Sequence, residues 1–312
     1  MYIGIDVGGT NLKAGLVSES GELLAVERMP LNFQGAEAFA AQLAALAGTV
    51  MAAGGAKREE ISCVGVGIPG AVQGGEILYT ANIPMRNVPL ETLFRRHLDL
   101  PVLLGNDADC AAVGEWLFGA GRGTRHFIVI TLGTGVGGGL ILNGKLYCGC
   151  GAGGEVGHMV IDRDGPLCNC GRRGCWETYA SATGLIRQTR EAMEAHPESR
   201  LHAVAARNGA VDGRTSFQAA AEGDETALAV CRAYVQALAA GLTDLVNIFH
   251  PEAVALGGGV AAAPEELLLG PVEKLVAGES YARHVGQTPR IVRAELGNDA
   301  GILGAAMLRR AL

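Results

Sequence analysis

The sequence predicts an α/β chain built as two similar lobes, and two observations carry that expectation. The stretch Ile3-Gly4-Ile5-Asp6-Val7-Gly8-Gly9-Thr10 lies over Ile128-Val129-Ile130-Thr131-Leu132-Gly133-Thr134-Gly135 at a constant offset of 125, and each copy reads as strand, glycine-threonine tip, strand. Around both copies, short apolar strands alternate with helical segments, which is the pattern of an α/β sheet. A duplication of this kind implies two lobes that each present a hairpin to a shared cleft. The 312 residues also exceed the size at which a single core stops growing.

Tyr2 to Val7 is an apolar strand interrupted by one acid, followed by the turn Gly8-Gly9-Thr10 and a second apolar segment, Leu12 to Val17. The tip exposes amide N–H groups and the Thr10 and Asn11 side chains. Such a tip cradles phosphate oxygens, and Asp6 at the strand end is placed to hold a hydrated Mg²⁺ near them. A plain glycine-rich hairpin is the other reading of this stretch taken alone. Ala36 to Gly54 is apolar at helical spacing and ends in a glycine pair, so it reads as a helix with a C-terminal stop. Ile61 to Ile68 is a buried strand running into Pro69-Gly70. Gly65, Gly67 and Gly70 leave room at its end, where an open α/β sheet binds its ligand.

Pro101 to Gly105 is another strand, and it delivers Asn106-Asp107-Ala108-Asp109 to the start of a helical stretch, Cys110 to Phe118. Asp109 fits the N-cap. Asp107, with Asn106 beside it, is then left to point into the cleft, where a carboxylate orients a hydroxyl and accepts its proton. Local spacing alone leaves catalysis and capping both open for Asp107. His126 to Leu142 forms the second hairpin, with Gly133, Thr134 and Gly135 at its tip, and Asn143-Gly144 makes a tight turn after it.

Beyond the glycine run 149–154, the stretch Gly154 to Glu177 holds His158, Cys168, Cys170 and Cys175, with Glu155 before them and Glu177 close after. Thiolates plus imidazole at short spacing, with Gly171 and Gly174 letting the chain double back, are the ligand set of a closed structural Zn²⁺ site. Buried thiols are the alternative, but no helix or strand period fits three cysteines in eight positions of a polar loop. A closed site has no open coordination position for chemistry, so zinc here is a clamp holding Glu155, His158 and Glu177.

Tyr179 to Glu194 starts a mainly helical region, Ala203 to Asp224 is uninformative, and Glu225 to Phe249 is a long amphipathic helix. Ala253 to Leu256 is a strand ending in Gly257-Gly258-Gly259. Backbone there can lie flat against a planar ring, which makes it a candidate nucleotide-base site, with a bare turn as the alternative. Ile291 to Leu296 is a last strand, and Ala300 to Leu312 a terminal helix that packs back on the first lobe. Lobe boundaries are expected at 1–118 joined by 299–312, and at 119–298, which carries the zinc loop 158–175.

The net charge of −7, without a long basic stripe, disfavours a nucleic-acid partner. No run of about 18 uninterrupted apolar residues points to a membrane span, and the N-terminus has no signal-peptide pattern. Eight cysteines in a long chain of this kind read as metal ligands and reduced thiols of a cytoplasmic protein.

Together these residues resemble the ROK family of sugar kinases and repressors, within the ribonuclease H-like, actin-like fold shared by sugar kinases, heat-shock ATPases and actin. The matching motifs are IGIDVGGTNLKAGLV, the GND segment at 105–107, TLGTGVGGG, GEVGH with CNCGRRGCWE, and ALGGGV. The resemblance implies that Asp107 is the general base toward a sugar 6-hydroxyl, and that Asn106, Glu155, His158 and Glu177 hold the other hydroxyls. It implies ATP phosphates at Gly9, Thr10, Asn11, Gly133, Thr134 and Gly135, adenosine at Gly257, Gly258 and Gly259, Mg²⁺ with the ATP, lobe closure on the sugar, and a homodimer. The family's repressors carry an N-terminal helix-turn-helix; here the first strand begins at Tyr2, so a kinase is expected, not a regulator. The segments GIPGAV, ANIPMRNVPL and CWETYASATGL look most like the family's glucokinases. Pro84, Met85 and Arg86 depart from the glucokinase pattern near the expected sugar site, so N-acetylmannosamine, fructose and allose remain alternative substrates.

Overall fold

A computed structural model describes residues 1–80 and 83–312. Ala81 and Asn82, the first two residues of ANIPMRNVPL, lie outside the described residues. The chain forms two compact units: one of residues 1–129, 139–154 and 295–312, the other of residues 130–138 and 155–294. Residues 119–129, expected in the second lobe, therefore pack with the first unit, where Gly121 abuts the Phe127 ring.

The first unit is built on strands β1 (Tyr2–Val7), β2 (Asn11–Val17) and β3 (Leu23–Pro30), followed by helix α1 (Ala36–Ala53) and strand β4 (Val64–Ile68). A small sheet follows, of β5 (Gly70–Gln73), β6 (Glu76–Thr80) and β7 (Arg86–Val88). Then come α2 (Leu90–Arg95), β8 (Val102–Asn106) and α3 (Asp107–Phe118). The main sheet runs β3-β2-β1-β4-β8, antiparallel over the first three strands and parallel from β1 to β8.

Alternation along β1 sorts its side chains to two faces. Ile3, Ile5 and Val7 join Phe39, Leu43 and Leu46 of α1 in one core. Gly4 faces the terminal helix, where a Cβ would fall 1.9 Å from the Ile302 carbonyl oxygen. Gly65 does the same against the Ala305 carbonyl, at 1.7 Å. Gly67 abuts the Cys110 sulfur and Gly70 abuts the Tyr79 carbonyl oxygen. The room expected for a ligand at Gly65, Gly67 and Gly70 is thus filled by the protein's own helices and sheet, because a helix backbone reaches a sheet this closely only where no Cβ intervenes.

Strands β9 (Phe127–Leu132), β10 (Val136–Leu142) and β11 (Lys145–Leu146) follow. After them come α4 (Glu177–Ala180), α5 (Ala182–Ala195), α6 (Leu201–Asn208), α7 (Thr215–Ala221) and α8 (Glu225–Phe249), then β12 (Ala253–Gly257), α9 (Leu269–Glu279), β13 (Arg290–Arg293) and α10 (Ala300–Ala311). The second five-stranded sheet has the order β11-β10-β9-β12-β13. The last strand is shorter than expected: its final register pair is Leu256 with Arg293, the Ala294 amide still donates to the Leu256 carbonyl at 2.9 Å, and 297–299 form a 3-10 turn into α10. Two helices, α1 and α8, are long and apolar enough to cross a membrane by length and composition. Each buries a stripe in its own unit, Phe39, Leu43 and Leu46 on α1 and Tyr234, Leu238 and Leu242 on α8.

Candidate active site

In the first unit the hairpin pairs Asp6 directly with Lys13, and Gly9, Thr10 and Asn11 stand exposed at its tip. The Asp6 carboxylate is half-buried beside the N-terminus of α10, where a Cβ on Gly301 would approach its Cγ to 3.2 Å. Burial raises its pKa above the ordinary carboxylate value, and the Lys13 charge only partly opposes this. Lys13 Nζ is held by Asp299 Oδ1 at 2.6 Å and by the Asn298 carbonyl. Lys13 was missed in the sequence, although the symmetry of the hairpin about its tip places it opposite Asp6.

At the end of β8 the N-cap of α3 is Asn106, not Asp109 as expected. Its Oδ1 accepts from the amides of Ala108 (2.8 Å) and Asp109 (3.3 Å), and its Nδ2 donates to the Gly70 carbonyl at 3.1 Å. The helix begins three residues earlier than the apolar pattern showed, so Asp109 falls in the first turn and is buried. Burial, the Asp109 charge and a hydrogen bond to Asp109 push the Cys148 thiol up to about 12. Asp107 is the first residue of α3 and is exposed, with Oδ1 accepting from the Ala108 amide at 2.9 Å. A carboxylate is favoured at that helix end by the free amides and the helix dipole.

In the second unit His158, Cys168, Cys170 and Cys175 bring their ligand atoms within 4.8 Å of one another. Cys170 Sγ lies 3.6 Å from Cys175 Sγ, and Cys168 Sγ lies 3.6 Å from His158 Nδ1. Tetrahedral zinc with ~2.3 Å bonds to sulfur sets ligand atoms roughly 3.5–4 Å apart, so the donor set fits the metal. Gly174 makes the loop possible: it has φ +68°, and a Cβ there would strike the Asp162 carbonyl oxygen. Trp176 anchors the loop to α8. Its Nε1 donates to the Ala237 carbonyl at 2.9 Å, and its ring occupies the space a Cβ on Gly241 would need.

Glu177 opens α4 directly after this anchor. Its Oε1 accepts from the Cys168 thiol at 3.0 Å and lies 3.7 Å from His158 Nδ1. With Nδ1 turned to the sulfurs, His158 keeps Nε2 for a second partner. Glu155 is exposed at the start of the 3-10 turn that carries His158. The second hairpin tip belongs to the same neighbourhood: Gly133, Thr134 and Gly135 follow β9, and the Ala182 amide donates to the Gly133 carbonyl at 2.8 Å. Of the three glycines after β12, Gly258 (φ +86°) presses on the Leu132 backbone, whereas Gly259 has open space. Gly259 and Val260 line an apolar cavity of about 260 Å³ with Arg214 and Phe217 of the α7 region.

Ile83 and Met85 of the expected specificity segment are buried in the first unit's core, and Arg86 stacks on the Tyr79 ring at 5.3 Å. Pro84 and Arg86, the other two departures from the glucokinase pattern, are exposed.

The chain is 40% identical to the glucokinase of Thermotoga maritima over 311 residues, covering 98% of this chain and 96% of that protein. It is 33% identical to an N-acetylmannosamine kinase of Yersinia pseudotuberculosis, covering 99% of this chain and 98% of that protein. Among solved structures it superposes on a ROK family glucokinase from Streptomyces griseus in complex with glucose and AMPPNP, with a TM-score of 0.81, 36% identity and 98% of each chain covered. That superposition carries the two-lobed α/β fold expected from the repeated hairpins, of the actin-like class that the family resemblance implies. The ROK family model matches residues 2–311, from the first strand to the last helix, and this chain belongs to the ROK family.

Proposed function

We propose that this chain is an ATP-dependent hexose kinase that transfers the γ-phosphoryl group of ATP to the 6-hydroxyl of glucose. The observation that carries the reading is Asp107, an exposed carboxylate at a strand end on the first turn of α3, in a chain 40% identical to a glucokinase. Asp107 accepts the hydroxyl proton as O6 attacks; the O6–Pγ bond forms, the bond from Pγ to the β-bridging oxygen breaks, and ADP leaves. Asn106 is a positioning residue in this scheme, because both ends of its amide already fix the turn that carries Asp107.

The first unit would supply Asp107, Asp6 and the tip Gly9, Thr10 and Asn11. The second would supply Gly133, Thr134 and Gly135 for phosphates and Glu155, His158 and Glu177 for sugar hydroxyls. The cavity at Gly259 and Val260, with Gly257 and Gly258 before it, is the proposed adenosine site. Mg²⁺ held near Asp6 would neutralise phosphate charge. Zn²⁺ held by His158, Cys168, Cys170 and Cys175 would be structural, fixing the His158 tautomer so that Nε2–H donates to a hydroxyl. Phosphoryl transfer needs mostly positioning and charge neutralisation, which this set provides.

The N-acetylmannosamine kinase relative supports a second reading, in which the same residues act on an N-acetylated hexose. We take the enzyme to be a cytoplasmic homodimer, as the family resemblance implies; a monomer mass by light scattering would remove the dimer. The test of function is ADP release with Mg-ATP across glucose, N-acetylmannosamine, N-acetylglucosamine, mannose, fructose and allose. Glucose is expected to dominate, dominance of N-acetylmannosamine selects the second reading, and no turnover with any sugar overturns the kinase.

A further inference from the structure

An open depression of about 710 Å³ lies on the second unit, lined by Val160, Ile161, Asp162, Arg163, Arg172 and Arg173. We propose that it binds a small anion bearing a phosphate group, a phosphomonoester or inorganic phosphate.

Three guanidiniums line this depression in a chain of net charge −7, and among the described residues none of the three pairs with a carboxylate. Asp162, the acid within the lining, forms no ion pair with them among the described residues. Asp162 accepts from the Tyr179 hydroxyl at 2.7 Å through Oδ2 and from the Asp164 amide at 3.1 Å through Oδ1. Arg172 donates to the His158 carbonyl at 3.4 Å and Arg173 to the Gly165 carbonyl at 3.3 Å, one N–H each of the five that a guanidinium carries. The remaining N–H groups form the planar forks that match phosphate oxygens bidentately.

The depression is also held in shape. Ile161 donates to the Gly174 carbonyl at 3.0 Å, Val160 bridges Cys175, and Leu167 bridges Arg173. The turn carrying Arg172 and Arg173 and the segment carrying Arg163 are therefore fixed against each other before any ligand arrives, which lowers the ordering cost of binding. The volume accommodates a hexose phosphate. A nucleic-acid backbone would meet the chain's overall negative charge, so a small ligand is the favoured class. None of the three arginines takes part in the proposed phosphoryl transfer, and the site stands or falls separately from it.

The test is calorimetric titration of the full chain with glucose 6-phosphate and, separately, inorganic phosphate at low ionic strength, with AMPPNP and glucose saturating. We expect one further site per chain, weakened at least tenfold by Arg163→Glu, whose side chain makes no hydrogen bond among the described residues, and by Arg172→Gln. Binding of both probes assigns recognition to the phosphate alone; binding of glucose 6-phosphate only assigns it to the sugar phosphate. No binding of either probe, or affinity unchanged in both variants, overturns the proposal. A chain that lacks ADP release on every sugar yet keeps Arg163-dependent binding loses the kinase reading and keeps this site.

Discussion

A Cβ on Gly135 would lie 2.6 Å from Glu177 Oε2, while Glu177 Oε1 accepts from Cys168 at 3.0 Å. One carboxylate thus connects the cysteine cluster to the tip of the second hairpin. Gly135→Ala leaves the fold intact, because the atom it meets is the end of a side chain that can turn away. The turned carboxylate leaves its place beside His158 and Cys168. We expect a change in Tm of no more than a few degrees and a fall in kcat/KM of about tenfold or more, roughly 1.4 kcal/mol of transition-state binding. Wild-type kinetics in this variant would mean that Glu177 does not serve the reaction from this position.

Metal content tests the cluster. Elemental analysis of protein purified without chelator is expected to give one zinc per chain. Cys170→Ser should lose it, since a closed structural site tolerates little change in its ligands. Sugar affinity should fall at least about tenfold with the metal, the scale on which supporting contacts around a metal site act. Metal-free wild-type protein with full sugar binding would end the clamp.

Asp107→Asn should fold normally, because an amide at the first helical position still accepts from Ala108. Turnover should fall by at least about three orders of magnitude, the combined weight of proton acceptance and hydroxyl positioning. Near-wild-type ADP release would reassign the base.

Both hairpins and α8 were legible in the sequence because an apolar run closed by a glycine-threonine tip and a long amphipathic stripe are local signals. The four metal-type ligands were legible for the same reason, since one loop holds them all. The cap of α3 was not, because Asn106 and Asp109 are both good capping residues and only the path of the chain out of β8 selects Asn106. Nor were the tasks of Gly4 and Gly65, which depend on where α10 returns to the sheet from the far end of the chain. The contact of Glu177 with Gly135, and of Asp109 with Cys148, likewise join segments that no local pattern links.

Asp6 sets function against stability. Its folded pKa is raised by burial, with Lys13 too weak an offset because that ammonium is engaged by Asp299. A carboxyl whose folded pKa is raised contributes stability below the unfolded value, and that contribution is lost as pH rises through the folded value. At neutral pH the ionised Asp6 is therefore a net cost to the fold. Asp6→Asn removes it: the variant should melt above the wild type at pH 7, with the difference shrinking as pH falls below the ordinary carboxylate range. The same substitution removes the charge proposed to hold Mg²⁺, so turnover should fall at least about a hundredfold, within the several kcal/mol that charge stabilisation by a metal ion supplies. Thermal melts across pH, with ADP release measured alongside, check both. A variant that melts lower at pH 7 would show that the Lys13 attraction outweighs burial at this carboxylate.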